Sequence, residues 1–516
     1  MEKRYIAALD LGDSTLRLAV ATCDDEGLVS LIALVERPSQ GVKRGKIDNI
    51  ALVCQTIKEL LEELQEEYCL QVKSLYAGIS GEFIRCARHS DHVFVVNPQS
   101  GVSHSDVEAL SDRMANVQSP EGEVIMERFA QNYMVDGVTE VKNPVGSFGR
   151  KLSSVYNFIL CQQTPAQRVD LALKNCGVSL DASHSNALVL CDAVATPDER
   201  REGVVVVDMG SEVTDIAICQ HNVVRYVASI PLGSNSINAD IKYMMIPERY
   251  IEQLKCEFGN AVSDLTDIKR TVKVPGRTPR EDKRILLRNL SMAIEARALD
   301  IAEFIRSEIR HASYEGRVPY LVLTGGSAKL TNLDELMHRT TGLDVRVGYP
   351  INGFDEESQM RLSLPDYSTI AGLLIKSAAH GSSTVVELPS KTESSPLQLV
   401  EEVIDEKSSA DNSVIDQTLP ELDKIESVQT PIVPPRAVEQ SEPTSEPTPE
   451  PETKPTPEEP INQVDTSTTQ EPQSQEYYED EEEDDDDKPK RGIKGLFGKL
   501  ANSINRSFGG DDNEDV

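Results

Sequence analysis

Short apolar runs alternate with stretches of helical spacing over the first 380 or so residues, the pattern of an α/β protein. Residues 5–11 and 16–22 predict a strand hairpin, Leu75 to Ile79 a further strand, and residues 50–67 a helix with one apolar face. Helices are also expected at 166–176 and 185–195. Between these elements, residues 85–160 carry strands of their own and a helix signal from Ser103 to Val117, bounded by Gly81 and Thr164-Pro165. We read a first lobe over 1–200 with a subdomain inserted at about 82–163. The plan then repeats in a second lobe over 201–381: strands near 204–219 and 223–230, a helical insertion at about 234–316, and a strand at 320–323. Leu290, Ile294, Ile301, Phe304, Ile305 and Ile309 predict one long amphipathic helix from Ile285 to Ile309, packed into the core.

Two of the expected strands run into the same turn. Tyr5 to Leu9 enters Asp10-Leu11-Gly12-Asp13-Ser14-Thr15, and Val204 to Val207 enters Asp208-Met209-Gly210-Ser211-Glu212-Val213-Thr214-Asp215. Glycine lets a backbone come close to an anion, and successive turn N–H groups point at its oxygens. Two such turns face to face make a phosphate clamp. Aspartate repels phosphate, so Asp10 and Asp208 make sense as holders of a divalent cation through water. A third strand, Tyr320 to Leu323, ends in Thr324-Gly325-Gly326-Ser327-Ala328. Its glycines allow a flat ring or a ribose close approach, and a helix beyond them would aim its N-terminus at an α-phosphate. Taken in this order, the three segments resemble the actin, Hsp70 and sugar-kinase superfamily. That resemblance implies an actin-like two-lobed α/β fold of duplicated RNase H-like domains.

Composition changes the picture only beyond residue 381. The formal net charge is −34, but residues 382–487 alone hold thirty acids against five bases. Fourteen of the twenty-eight prolines fall between Pro389 and Pro472, and nine consecutive acids run from Glu479 to Asp487. Such a segment cannot bury enough apolar surface to offset ordering entropy, and it reads as a disordered linker. As a flexible coil its ends would lie roughly 55 Å apart. The remaining body is mildly acidic, which argues against nucleic acid as a ligand. Nine scattered cysteines without a Cys-x-x-Cys pair read as reduced thiols of a cytoplasmic protein. The sequence shows neither a signal peptide nor an apolar run long enough for a membrane span. His89 and His92 have a spacing that could bind metal, but no third ligand accompanies them, and surface histidines are the simpler reading.

After the acids, residues 488–508 carry six bases and no acid, and residues 509–516 form an acidic end. Ile493, Leu496, Phe497, Leu500, Ile504 and Phe508 fall on one helical stripe, flanked by Lys490, Arg491, Lys494, Lys499 and Arg506. A basic face beside an aromatic and aliphatic face is what an anionic lipid surface selects. The alternative is a helix that docks on the body or on another protein.

A clamp-bearing body, an acidic linker and a terminal amphipathic helix together resemble the FtsA family of bacterial cell-division proteins. The phrases Ser39-Gln40-Gly41-Val42-Lys43-Arg44-Gly45, Asn143-Pro144-Val145-Gly146, Ile230-Pro231-Leu232-Gly233-Ser234-Asn235 and Tyr367-Ser368-Thr369-Ile370-Ala371-Gly372 carry the likeness. It implies ATP and Mg²⁺ as cofactors. Asp10, Gly12, Ser14 and Thr15 would form the first phosphate loop and Asp208, Gly210 and Thr214 the second, with Asp10 and Asp208 on the Mg²⁺ waters. Gly325, Gly326 and Ser327 would touch the adenosine, and Glu252 with Lys255 would border ribose and base, unless they are an ordinary i, i+3 ion pair. The implied partners are the FtsZ C-terminal peptide, anionic lipids, further copies of the chain in filaments and other division proteins. The implied location is the cytoplasmic face of the membrane at the septum. The basic stretch around Lys269–Lys273, Arg277, Arg280, Lys283, Arg284 and Arg288 could seat an acidic peptide, Arg284 and Arg288 foremost, or equally be a solvated basic face.

Asp13 and Glu212 depart from the family pattern by putting carboxylates into turns meant for a terminal phosphate, which predicts at most weak ATP turnover. Rival readings are an MreB-like scaffold, a pilus-assembly ATPase and a small-molecule kinase. None of them needs both the long acidic linker and the basic tail.

Overall fold

The computed structural model describes residues 4–276 and 282–389. The predicted segments 488–508 and 509–516, the linker beyond Pro389, and Arg277 and Arg280 lie outside the described residues.

Two five-stranded sheets share one plan. In the first, Arg4–Leu11, Thr15–Cys23 and Val29–Pro38 pair antiparallel, and Ser74–Ile79 and Ser179–Ser185 extend the sheet in parallel. In the second, Val204–Met209, Thr214–Gln220 and Val223–Ile230 are the antiparallel set, with Tyr320–Thr324 and Asp344–Val347 parallel. The run of four valines is buried on both faces, as central strands require. Val204 and Val206 face the core shared with the first lobe, whereas Val205 and Val207 face the second lobe's own core.

Helices Asn186–Val194 and Ser368–His380 pack against each other and against these sheets. They come close because Gly372 has no side chain: a Cβ there would lie 2.5 Å from the Val189 carbonyl oxygen. Both helices begin beside the strand ends that carry the Asp-x-Gly turns, which brings residues remote in sequence to one place.

Residues 84–162 form a separate sheet of Thr139–Val141, Glu123–Val135, Lys151–Gln162 and Ile84–Phe94, with helix His104–Ala115 capped by Ser103. This sheet is tied to the first lobe through Glu127, which accepts from buried His184 at 2.8 Å and pairs with Lys376 at 2.9 Å. His89 and His92 lie three apart on one strand and so face opposite sides. Among the described residues no group of His, Cys, Asp and Glu gathers to ligate a metal directly. All nine cysteines are free.

Two expectations change. The insertion in the second lobe is not all helical: Thr271–Val274 and Lys283–Leu286 pair as a hairpin, and the long helix starts at Leu287 and runs to His311. The reason is local, since Val274 and Ile285 are buried on one face of the hairpin while the cross-strand pair Lys273 and Arg284 stays exposed on the other. The body also extends past residue 381. Ser383 and Thr384 hydrogen-bond into the first sheet, and Val385–Glu387 pairs with Leu70–Val72.

Candidate functional site

A cavity of about 710 Å³ lies where the two sheets' turns meet. Leu11 pairs with Leu16 and Met209 with Thr214, so each turn holds four residues, Gly12 to Thr15 and Gly210 to Val213. Asp10 and Asp208 therefore occupy matching next-to-last positions of their strands. Asp10 is buried, as is Asp215, which lies opposite Asp208 in the register, and Asp208 itself is half-buried.

Desolvation dominates their electrostatics. Burial raises the Asp10 carboxyl, against the pull of Arg17 and a 3.2 Å hydrogen bond from Asn186. Burial pushes Asp208 up to about 6, against a 2.5 Å bond from the Thr369 hydroxyl and with help from the Asp10 charge. Burial lifts Asp215 to about 7, although Ser229 and Ser80 both donate to it, Ser80 at 2.6 Å. Arg17 is the one cation close to this acidic group among the described residues, 3.8 Å from Asp10 and also bound to Glu36. A second cation or a bound anion with its counter-ion would complete the charge balance.

Polar donors converge from three helix starts. Asn186 opens Asn186–Val194, Thr369 comes second in Ser368–His380, and Asn235 sits in the first turn of Ser234–Lys242. Helix N-termini carry partial positive charge and suit a phosphate. The Asn186 Oδ1 atom is buried with no hydrogen-bond partner. That orphan acceptor fits a water or cation ligand better than a dry pocket.

The third segment closes the floor. Gly325 adopts φ 85° and ψ 171°, a region open essentially to glycine, and a Cβ there would lie 2.0 Å from Asp208 Oδ1. Ser327 donates to the Gly210 carbonyl at 3.0 Å, joining this segment to the second turn. The chain then makes a single 3-10 turn, Gly326–Lys329, rather than the expected helix; the next helix starts only at Leu333, after Asn332 turns left-handed. Gly325→Ala is expected to destabilise the protein by about 2 kcal/mol or more. A denaturant midpoint equal to that of the unaltered chain would reject this placement.

Glu252 and Lys255 line the same cavity from helix Ile251–Phe258. They form a 2.8 Å ion pair, with the Lys255 side chain almost wholly buried and Glu252 exposed. Burial works against the Glu252 charge, but Lys255 and Asn238 outweigh it and lower its pKa. Ser14 and Thr15 also line the cavity. Thr214 stands apart from that lining, because it is already on the strand and its hydroxyl donates to Leu232 at 2.8 Å.

Sequence reasoning passed over Arg17, Ser80, Asn186, Asp215, Lys329, Asp366 and Thr369, all of which line the cavity. Arg17 and Asp215 were within reach, since they occupy the same register position after the two turns. The others come from distant elements whose sequences carry no signal. The departures Asp13 and Glu212 hold backbone N–H groups, from Gly45 at 2.8 Å and Arg44 at 3.0 Å. Burial pushes Asp13 up to about 6, and the Glu212 charge adds to the shift.

A family model described as cell division protein FtsA matches residues 205–372, and one described as the SHS2 domain inserted in FtsA matches residues 81–160. The cell division protein FtsA of Pseudomonas aeruginosa is 28% identical over 374 residues, covering 72% of this chain and 89% of that protein. FtsA of Neisseria meningitidis is 27% identical over 378 residues, covering 72% and 90%. Among solved structures, a PilM–PilN type IV pilus biogenesis complex matches with a TM-score of 0.48 and 16% identity, covering 72% of this chain and 98% of that one.

Proposed function

The chain belongs to the FtsA family of cell-division proteins, with its actin-like fold and inserted SHS2 domain, and from that premise we propose an ATP-binding adaptor that tethers FtsZ filaments to the membrane at the division septum. The observation that carries this reading is the convergence of both Asp-x-Gly turns and the Thr-Gly-Gly-Ser segment on one cavity.

ATP with Mg²⁺ would supply an anion for those turns to hold. The residues present fit it. Gly12, Ser14 and Thr15 would cradle phosphate from one lobe and Gly210 from the other. Asp10 and Asp208 would hold Mg²⁺ through water, and a cation there offsets the burial that raises both carboxyls. Gly325, Gly326 and Ser327 would take the adenosine, beside Glu252 and Lys255. Turnover is at most weak in this reading, because Asp13 and Glu212 add negative charge beside the phosphate chain.

Residues 488–508 supply the membrane anchor and place the chain on the cytoplasmic leaflet. The FtsZ C-terminal peptide would dock beside Arg284, exposed on the hairpin strand, and Arg288, in the first turn of the long helix. Neither arginine forms an ion pair among the described residues. Copies of the chain would associate into filaments and recruit further division proteins.

The test is co-sedimentation of FtsZ filaments with anionic vesicles in the presence of ATP, Mg²⁺ and the full chain. FtsZ is expected in the pellet only when the chain is present. Arg284→Glu with Arg288→Glu should cut that recruitment about tenfold while the chain itself stays on the vesicles. FtsZ left in the supernatant above vesicles coated with unaltered chain would overturn the adaptor reading.

A further inference from the structure

The carboxylates of Asp13 and Glu212 share one structural role. The two turns correspond residue for residue, so Asp13 matches Ser211 and Glu212 matches Ser14. Each lobe thus contributes one carboxylate, at neighbouring steps of the clamp. Between them stands the tip of a small hairpin, Val42–Lys43 and Lys46–Ile47, from the first lobe. Arg44 and Gly45 at that tip are both left-handed, with φ 48° and 72°. Their consecutive N–H groups point outward, as in loops that hold anions.

Here the protein supplies the anion. Arg44 N–H donates to Glu212 Oε2 at 3.0 Å, and Gly45 N–H donates to Asp13 Oδ1 at 2.8 Å. The tip packs closely against the first lobe, since a Cβ on Gly45 would lie 1.9 Å from the Ser80 carbonyl oxygen. The Arg44–Glu212 bond joins the first lobe to the second. Asn235, at the head of a second-lobe helix, approaches the other oxygen of Glu212 at 3.5 Å.

We propose that Asp13 and Glu212 stand in for a terminal phosphate: they occupy the Arg44-Gly45 tip, latch the two lobes together, and make the cleft favour a nucleoside diphosphate over a triphosphate. This rests on the nucleotide-binding reading of the same cavity. A longer phosphate chain carries one more negative charge toward two carboxylates and finds the tip's donors already engaged. A diphosphate meets less of both. Ser14 and Ser211, the uncharged members of the matched pairs, mark what each position holds when it does not carry a carboxylate.

The experiment compares Mg²⁺·ADP and Mg²⁺·ATP by titration calorimetry on the full chain and on Asp13→Ser/Glu212→Gly. The unaltered chain is expected to bind ADP at least as tightly as ATP. The double variant should gain about tenfold on ATP and change little on ADP, the scale of removing like charges near a bound anion. Glu212→Gln, which keeps an acceptor for Arg44 and loses the charge, should recover part of that gain. A folded double variant with the same ADP-to-ATP ratio as the unaltered chain overturns the proposal and leaves nucleotide binding standing. Absence of any nucleotide binding, in the unaltered chain and both variants, overturns the nucleotide reading and this proposal with it.

Discussion

Deleting residues 488–508 from the full chain is expected to release it from anionic vesicles. The segment holds six apolar residues on one helical stripe, Ile493, Leu496, Phe497, Leu500, Ile504 and Phe508, and six bases. Each base near an anionic surface is worth about 1 kcal/mol, and the apolar face adds its own burial. Gly492, Gly495 and Gly498 take back roughly 1 kcal/mol each relative to alanine, so the helix would form on binding. The balance still favours the membrane by enough that partitioning should fall at least about a hundredfold on deletion. Among the described residues no helix is long and apolar enough to cross a bilayer. Two controls separate the apolar from the electrostatic part. Phe497→Ala, which leaves the charge unchanged, should weaken binding at any salt concentration. Raising salt should weaken the unaltered chain and the variant alike, because screening acts on the bases that both retain. Neutralising Glu479–Asp487 should tighten binding, since that run competes with lipid for the basic face. A truncated chain that sediments with vesicles as the full chain does would end the anchor hypothesis.

The parts of this fold that could be read from sequence are those where one local rule acts alone. The valine run at Val204 to Val207 reads as a central strand, and Asp-x-Gly between two apolar runs, met twice, reads as a tight turn, so the clamp and the strands beside it were legible, whereas Val29–Pro38, Ser179–Ser185 and Asp344–Val347 were not. The helix at residues 50–67 was expected from its apolar spacing and is observed at Ile50–Glu67. The illegible parts are assembled over distance. Asn186 and Thr369 reach the cavity because their helices cross at Gly372, a packing event with no local signature. The hairpin Thr271–Val274 with Lys283–Leu286 was hidden because its outward face is basic, which reads as helix surface as readily as strand. Residues 383–388 were hidden by the Pro-, Ser- and Glu-rich composition of the segment they lead into. The latch at Arg44-Gly45 was half visible: the sequence showed two misplaced carboxylates, and only the fold brought their partner between them.

Between about pH 4.5 and 7 the body without nucleotide or metal is expected to lose stability as pH rises. Asp13 and Asp208 are raised to about 6 and Asp215 to about 7, from an ordinary value of 3.8. In this window the folded state therefore binds more protons than the unfolded one, and unfolding free energy falls with pH. The favourable contribution is complete below the unfolded value near pH 4 and gone once pH passes the folded value near 7. Asp215 carries the largest share. It is buried at the cavity wall, and its rise to about 7 is the largest of the three. Carboxyls lowered by partners, such as Glu127, Glu199 and Glu252, act in the opposite sense, but below about pH 4.5. His380, lowered by burial, also opposes the trend near pH 6. Asp215→Asn isolates the effect, since every other group is common to both proteins. Ser80 and Ser229 can reverse their hydroxyls to accept from an amide, so the substitution keeps the hydrogen bonds and removes the charge. The variant should match or fall slightly below the unaltered chain at pH 5 and exceed it at pH 7.5, read as denaturant midpoints. Mg²⁺ with nucleotide should narrow the gap at pH 7.5, because a cation held by Asp10 and Asp208 favours the ionised carboxylates. An equal difference between the two proteins at both pH values would mean that Asp215 is not held protonated by its burial, and the electrostatic picture of the cleft would have to be redrawn.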